Sequence, residues 1–234
     1  MDPSRIALLQ GLRDTRQSFA SWNADPSGVL RPWLLGALAI ACGLLLSVWA
    51  IAAASGPDPT ITLLPGLNLA ADGEAMARIL MRNSLVLLLH ALACVAGFIA
   101  GASLPLQVAH KTGLSRWVHE KAGPFAIAFV TLATLFSLVT QAWVLGGVAA
   151  DLAGQLDISA GMLMLTLLPH ALPELTALFL PLAAWLIASR RDEWDQLLAA
   201  TFATTAIAVP TLVVTACIEI FLWPDLLRAA SPVI

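Results

Sequence analysis

Leu167-Leu168-Pro169-His170-Ala171-Leu172-Pro173-Glu174-Leu175 lies inside an apolar segment running from about 161 to 188 and carries that segment's only ionisable pair. A charged or titratable side chain at membrane depth costs ~2.5–3.5 kcal/mol even on the lenient insertion scale, so a chain that keeps one must offer compensation. His170 and Glu174 are four residues apart, and on a continuous helix they share a face and can hydrogen-bond. Pro169 and Pro173 stand against continuity, because each removes a backbone donor and crowds the carbonyl four residues back. A straight segment would also be roughly 42 Å long, well beyond a hydrocarbon core of ~30 Å. The sequence therefore predicts a broken helix around Pro169–Pro173, with one piece ending near Leu168, another starting near Pro173, and the pair at the joint.

The rest of the chain reads as membrane too. It is 59% hydrophobic and 12% charged, with mean hydropathy +0.85, whereas about a quarter of a soluble domain is charged. Apolar stretches at about 33–54, 77–104, 124–148, 161–188 and 197–223 each meet the ~20-residue requirement for a span. The alternation of a membrane barrel is missing, and backbone crossing lipid must satisfy its own hydrogen bonds. The expected fold class is all-α, a polytopic transmembrane helical bundle of about five spans, with residues 31–234 forming a single transmembrane helical domain. The first apolar run begins only at Trp33 and is too long for a signal-peptide core, so it reads as a span.

Lysines and arginines near span ends set orientation. Most of the chain's 12 fall on one side: Arg5, Arg13, Arg16 and Arg31 before the first span, Lys111, Arg116 and Lys121 in the second connection, and Arg190 and Arg191 in the fourth. The other side carries Asp58, Asp72, Glu74, Asp151 and Asp157. The amino terminus is then cytoplasmic and the carboxyl terminus outside, in an inner or plasma membrane. Residues 1–30 form a cytoplasmic or interfacial arm. In it, Ile6, Leu8, Leu9, Leu12 and Phe19 suggest an apolar face opposite Arg5, Arg13 and Arg16, fit for the lipid surface. The connection at 105–123, with its basic residues around Trp117, reads first as an ordinary positive-inside loop and second as a docking surface for a cytoplasmic partner. Net charge is −3 without a basic block, so no nucleic-acid partner is expected.

Other polar groups inside spans are few. Asn83 and His90 lie in the second, Gln141 near the outer end of the third, and Glu219 near the outer exit of the fifth, just before Trp223-Pro224. Each has a plain reading as a group that holds helices together or reaches the interface. Gly97 and Gly101, four apart, favour close approach of another helix, within the fold or across a homodimer.

Three fragments, in order, resemble the stage II sporulation protein M family. Pro169-His170-Ala171-Leu172-Pro173-Glu174-Leu175 is similar to its Pro-His-Gly-x-x-Glu-Leu element, with Ala171 where the family usually has glycine. Ile218-Glu219-Ile220-Phe221-Leu222-Trp223-Pro224 is similar to its closing Ile-Glu-x-x-x-x-Pro pattern. Gln141-Ala142-Trp143-Val144-Leu145-Gly146 resembles its Asn-Gly-x-x-x-Gly element with both leading residues changed, and Asn83 resembles the asparagine that opens an earlier span. The resemblance covers about 76–224. It implies an all-helical membrane protein without an established enzymatic activity, whose members act as partners of envelope-remodelling machinery or occur beside exporters.

The residues support a transport-like or membrane-complex component in which His170, Glu174, Glu219, Gln141, Asn83 and His90 form a buried polar centre, since secondary transporters bind substrate at such helix breaks. A scaffold whose polar groups only hold helices together is the first alternative. An intramembrane metal-dependent hydrolase using His90, His170 and Glu174 is the second. No catalysis, cofactor or resident metal is expected; the expected partners are the lipid bilayer and a second copy or other membrane proteins.

Overall fold

The computed structural model describes residues 3–58, 62–103 and 113–234. Helices make up the fold: α1 (Pro3–Ala24), α2 (Pro26–Ala54), α3 (Gly73–Phe98), α4 (Gly113–Gln155), α5 (Ala160–Arg191), α6 (Leu197–Cys217) and α7 (Trp223–Ala230). Two wider π-helical turns extend this order, Ile99–Ser103 after α3 and Ile218–Leu222 between α6 and α7, and a short 3₁₀ turn, Trp194–Gln196, precedes α6. Five helical stretches are long and apolar enough to cross a membrane: Pro26–Ala54, Gly73–Gly101, Ala128–Gln155, Ala160–Arg191 and Trp194–Ala230. The chain is thus an all-α, multi-pass membrane protein. In the most apolar part of α5, 56% of the residues are buried, against 6% for the span of α4, so α5 is the more enclosed helix.

Local chemistry sets the boundaries. Asp25 caps α2, accepting from the Gly28 N–H at 3.0 Å and the Ser27 hydroxyl at 2.9 Å, with Pro26 at the first helical position. Those two bonds hold its carboxyl below the usual value of 3.8. Asp72 caps α3 through the Ala75 N–H, and Ser159 caps α5 through the Met162 N–H. Between α4 and α5 the chain turns at Asp157, whose φ of 52° is left-handed, while Ile158 N–H closes the helix end on the Ala153 carbonyl. Asp192, φ 60°, and the bond from Glu193 N–H to the Ala188 carbonyl do the same for α5.

The helices contribute to two compact units, and each is built differently. The first, drawn from 1–37, 87–134 and 179–208, closes on small residues. A β-carbon on Gly97 would meet Trp185 Nε1 at 2.6 Å and Leu197 at 2.9 Å, and one on Gly101 would strike the Trp194 ring. Both glycines therefore face neighbouring structure within the fold. The buried thiol of Cys94 donates to the Pro181 carbonyl at 3.1 Å, and Trp22 of α1 meets Trp33 of α2 edge-on. Gly11 and Ser18 turn α1 inward, Gly11 against Phe98 and Leu198, and leave Leu12 and Phe19 exposed beside exposed Arg13 and Arg16. The expected segregation of apolar and basic faces is therefore corrected: in the part of α1 whose side chains are described, they interleave on the outward face.

The second unit, from 38–86, 135–178 and 209–234, packs Leu156, Leu163, Ile220 and Leu227 at its core. The connection after α2 is held by its own polar groups: Asn68 accepts from Leu64 N–H at 2.6 Å and donates to the Thr62 carbonyl at 2.9 Å. Gly66, at φ 79°, lies where a side chain would hit Pro224, and Arg228 donates to its carbonyl. The Ser231 hydroxyl ties the end of the chain to the Leu156 carbonyl at 2.6 Å.

Two expectations are corrected here. Helix α5 is not broken: it runs through Pro169 and Pro173 as one helix. Each proline removes one N–H and frees one carbonyl, and in a tightly packed helix that loss is too small to undo the remaining ladder. The connection expected at 105–123 is shorter, because α4 already begins at Gly113; residues 104–112 lie outside the described residues, as do the side chains of Arg116, His119 and Lys121 on which the docking surface rested.

Candidate functional site

Continuity of α5 has a direct consequence for its polar residues. Thr166, His170 and Glu174 are four apart and form a single row along the helix. The chain facing them carries a second row at the same spacing: Thr215 in α6, Glu219 in the π-helical turn and Trp223 at the start of α7. The two rows run in opposite directions. At one end the Trp223 indole N–H donates to the Thr166 hydroxyl at 3.3 Å, and Thr166 passes its own hydrogen to the Leu163 carbonyl at 2.8 Å. One turn on, the His170 ring lies on Trp223 with centroids 5.1 Å apart and planes at 53°. At the far end Glu174 lies close enough to Glu219 for their charges to interact, with Thr215 within hydrogen-bonding reach of its carboxylate.

Helix α3 completes the site. Asn83 presents its amide to Glu174, and the neighbouring Arg82 acts by charge on both Glu174 and Glu219. Asn83 is only 8% exposed and His170 only 4%. None of the buried hydrogen-bonding capacity at this end is fully used: Asn83 Nδ2, Glu174 Oε2 and His170 Nδ1 are all shielded from solvent and without a hydrogen-bond partner. An unmet buried donor or acceptor costs about 1–3 kcal/mol, so these atoms along one face of the unit mark a place where polar groups are kept at a cost.

The expected hydrogen bond between His170 and Glu174 does not form. The ring is taken by Trp223, and the carboxylate turns toward α3 and the π-helical turn, so its charged neighbours are Glu219 and Arg82. Of the sequence-derived residues, the structure brings Asn83, Glu174 and Glu219 together, with His170 one turn away. Gln141 donates instead to Ser137 in its own helix at 2.9 Å. His90 falls in the first unit, its ring 5.5 Å from that of Phe179. Thr166, Thr215 and Trp223 were missed, although the spacing 215, 219, 223 repeats that of 166, 170, 174 and was readable once α5 is taken as continuous. Among the described residues no group of three or more His, Cys, Asp and Glu side chains gathers as a metal site.

Comparison with known proteins bears on these same elements. No curated protein and no solved structure matches the chain. Residues 122–224 match the family described as Stage II sporulation protein M. The match includes both polar rows and the Gln141 segment, and it begins after Asn83, so the α3 side of the site lies outside it. The chain is a multi-pass integral membrane protein whose residues 122–224, which supply most of the polar site, are similar to the Stage II sporulation protein M family.

Proposed function

We propose that this protein is a transport-like or membrane-complex component, without catalysis of its own, whose working group is the Glu174 carboxylate. The observation that carries the reading is an ionisable group enclosed by the fold: the Glu174 Oε2 atom is shielded from solvent and makes no well-formed hydrogen bond, with the Asn83 amide facing the carboxylate and Glu219 near enough to act on it by charge. Trp223 and Thr166 close their hydrogen bond to each other, whereas Glu174 is an ionisable group kept inside an apolar span, which packing alone does not require. The π-helical turn at Glu219 adds to this, because such turns occur mostly as single interruptions of α-helices and often at functional sites. On this reading the amino terminus is cytoplasmic, the carboxyl terminus outside, and copies or other membrane proteins associate through lipid-facing helices.

The test is Glu174→Gln, which keeps shape and removes charge. Complementation of a deletion strain, or transport in vesicles once a substrate is identified, is expected to be lost while membrane-inserted yield stays at the wild-type level. Full function in that variant leaves the scaffold reading in its place.

A further inference from the structure

We infer that the outward face of α1 docks on anionic phospholipid, with Arg13 and Arg16 taking headgroup phosphates and Leu12 and Phe19 entering the leaflet beside them. The depth of the helix comes from its contacts. Only Asp25 separates α1 from α2, the first span. Gly11 packs on Phe98 and Leu198, the 3₁₀ turn Trp194–Gln196 lies against α1, and Trp22 meets Trp33 with ring centroids 5.2 Å apart. These contacts fall inside the span ends, not beyond them: α2 begins seven residues before Trp33, and α3 with its π-helical turn runs five residues past Phe98, roughly 10 and 7 Å along a helix. Helix α1 is therefore seated beside the span ends at the depth of the headgroups, the level at which tryptophans collect.

The side of α1 opposite buried Gly11 and Ser18 carries Leu12, Arg16 and Phe19, four and then three apart in one line along the helix, with Arg13 next to them. Leu12 is 60% exposed and Phe19 41%, and the Phe19 ring is held edge-on by Trp22. Asp14, the acid of this stretch, is half-buried and its carboxylate accepts from the Gln10 amide at 2.7 Å. The arginine ion pairs among the described residues belong to Arg78 and Arg228, so both guanidinium groups of the face are open to an anion. A phospholipid offers phosphate directly above acyl chains, and that matches a face on which arginines alternate with apolar side chains: the guanidinium fork takes the phosphate while its stem lies along the chains. Two unpaired positive charges favour a leaflet of negative surface potential, by roughly fivefold for each arginine. A protein partner suits the face less well, because two apolar and two basic side chains fall far short of the ~800 Å² per partner of a stable interface.

The experiment is amide exchange over residues 10–24 of the full-length protein, held in nanodiscs of phosphatidylcholine alone or of phosphatidylcholine mixed with phosphatidylglycerol. Exchange in α1 is expected to be slower by about fivefold or more in the mixed discs, because docking adds to the free energy of local opening, and high salt is expected to shrink the difference. Arg13→Gln combined with Arg16→Gln, both at exposed positions, is expected to abolish the difference between the two lipids while the melting temperature stays at the wild-type value. Leu12→Ser combined with Phe19→Ser is expected to quicken exchange in both kinds of disc. Equal exchange of the wild type in the two lipids overturns the inference, and so does a lipid difference that survives loss of both arginines. Slowing that follows the number of protein copies per disc, whatever the lipid, gives the face to a second copy and overturns it as well.

Discussion

At the scale of single residues, the polar site divides into groups that are fully bonded and groups that are not, and the two classes respond differently to substitution. Trp223 belongs to the first. Trp223→Phe retains a ring for His170 to lie on and removes the N–H that Thr166 accepts. It is expected to cost about 0.6–2 kcal/mol, the usual worth of an interhelical hydrogen bond in a membrane protein, with function retained. Trp223→Ala, which also empties the space under His170, is expected to cost about 3–5 kcal/mol. Melting curves in detergent measure both. The sequence made His170 and Glu174 visible because they are the only titratable groups in an apolar run. It also named Asn83 and Glu219 for the same centre, but it did not reveal Trp223 and Thr215, because they arrive from another pass of the chain and no local rule assigns them. Spacing alone suggested the histidine–carboxylate bond, and the stacking surface offered by Trp223 overrode it.

At the scale of elements, packing decided what propensity left open. The prolines of α5 argued for a break, yet the span is the most buried of the five, and the contacts along it outweigh a few missing backbone bonds. The five spans themselves were legible from hydropathy, since length and apolarity are what a bilayer requires. The glycines show how context sorts residues that look alike. Gly97→Ala places a methyl 2.6 Å from Trp185 Nε1 and is expected to destabilise by about 1–3 kcal/mol through overpacking. Gly43→Ala meets open space in the middle of α2 and is expected to stabilise by about 0.5–1 kcal/mol through helix propensity. The pair of melting temperatures, moving in opposite directions, checks the assignment. Asp25 supplies a pH signature. Its carboxyl is lowered in the folded protein, so its cap is fully in place above the ordinary value of 3.8 and weakens as pH falls below that value through the lowered one. Amide exchange at Gly28, compared at pH 5 and pH 3, is expected to quicken at the lower pH beyond the intrinsic rate, and Asp25→Ala is expected to show that faster exchange at both.

At the scale of the whole molecule, the proposed orientation, with the termini on opposite sides and the amino terminus inside, rests on five candidate spans and on the distribution of positive residues. Tags at each end, probed in intact cells with an impermeant protease, are expected to show the carboxyl-terminal tag cleaved and the amino-terminal tag protected; the reverse pattern contradicts the orientation. The account as a whole turns on Glu174, and it is tested most directly by comparing Glu174→Gln with Thr166→Val, two residues on the same row of the same helix, for activity and folded yield in the same membranes. The account predicts opposite outcomes: Glu174→Gln inserts and folds like the wild type and is inactive, whereas Thr166→Val, which loses the hydroxyl that Trp223 bonds, melts earlier and stays active. Wild-type activity in Glu174→Gln, or parallel losses of yield and activity in both variants, contradicts it.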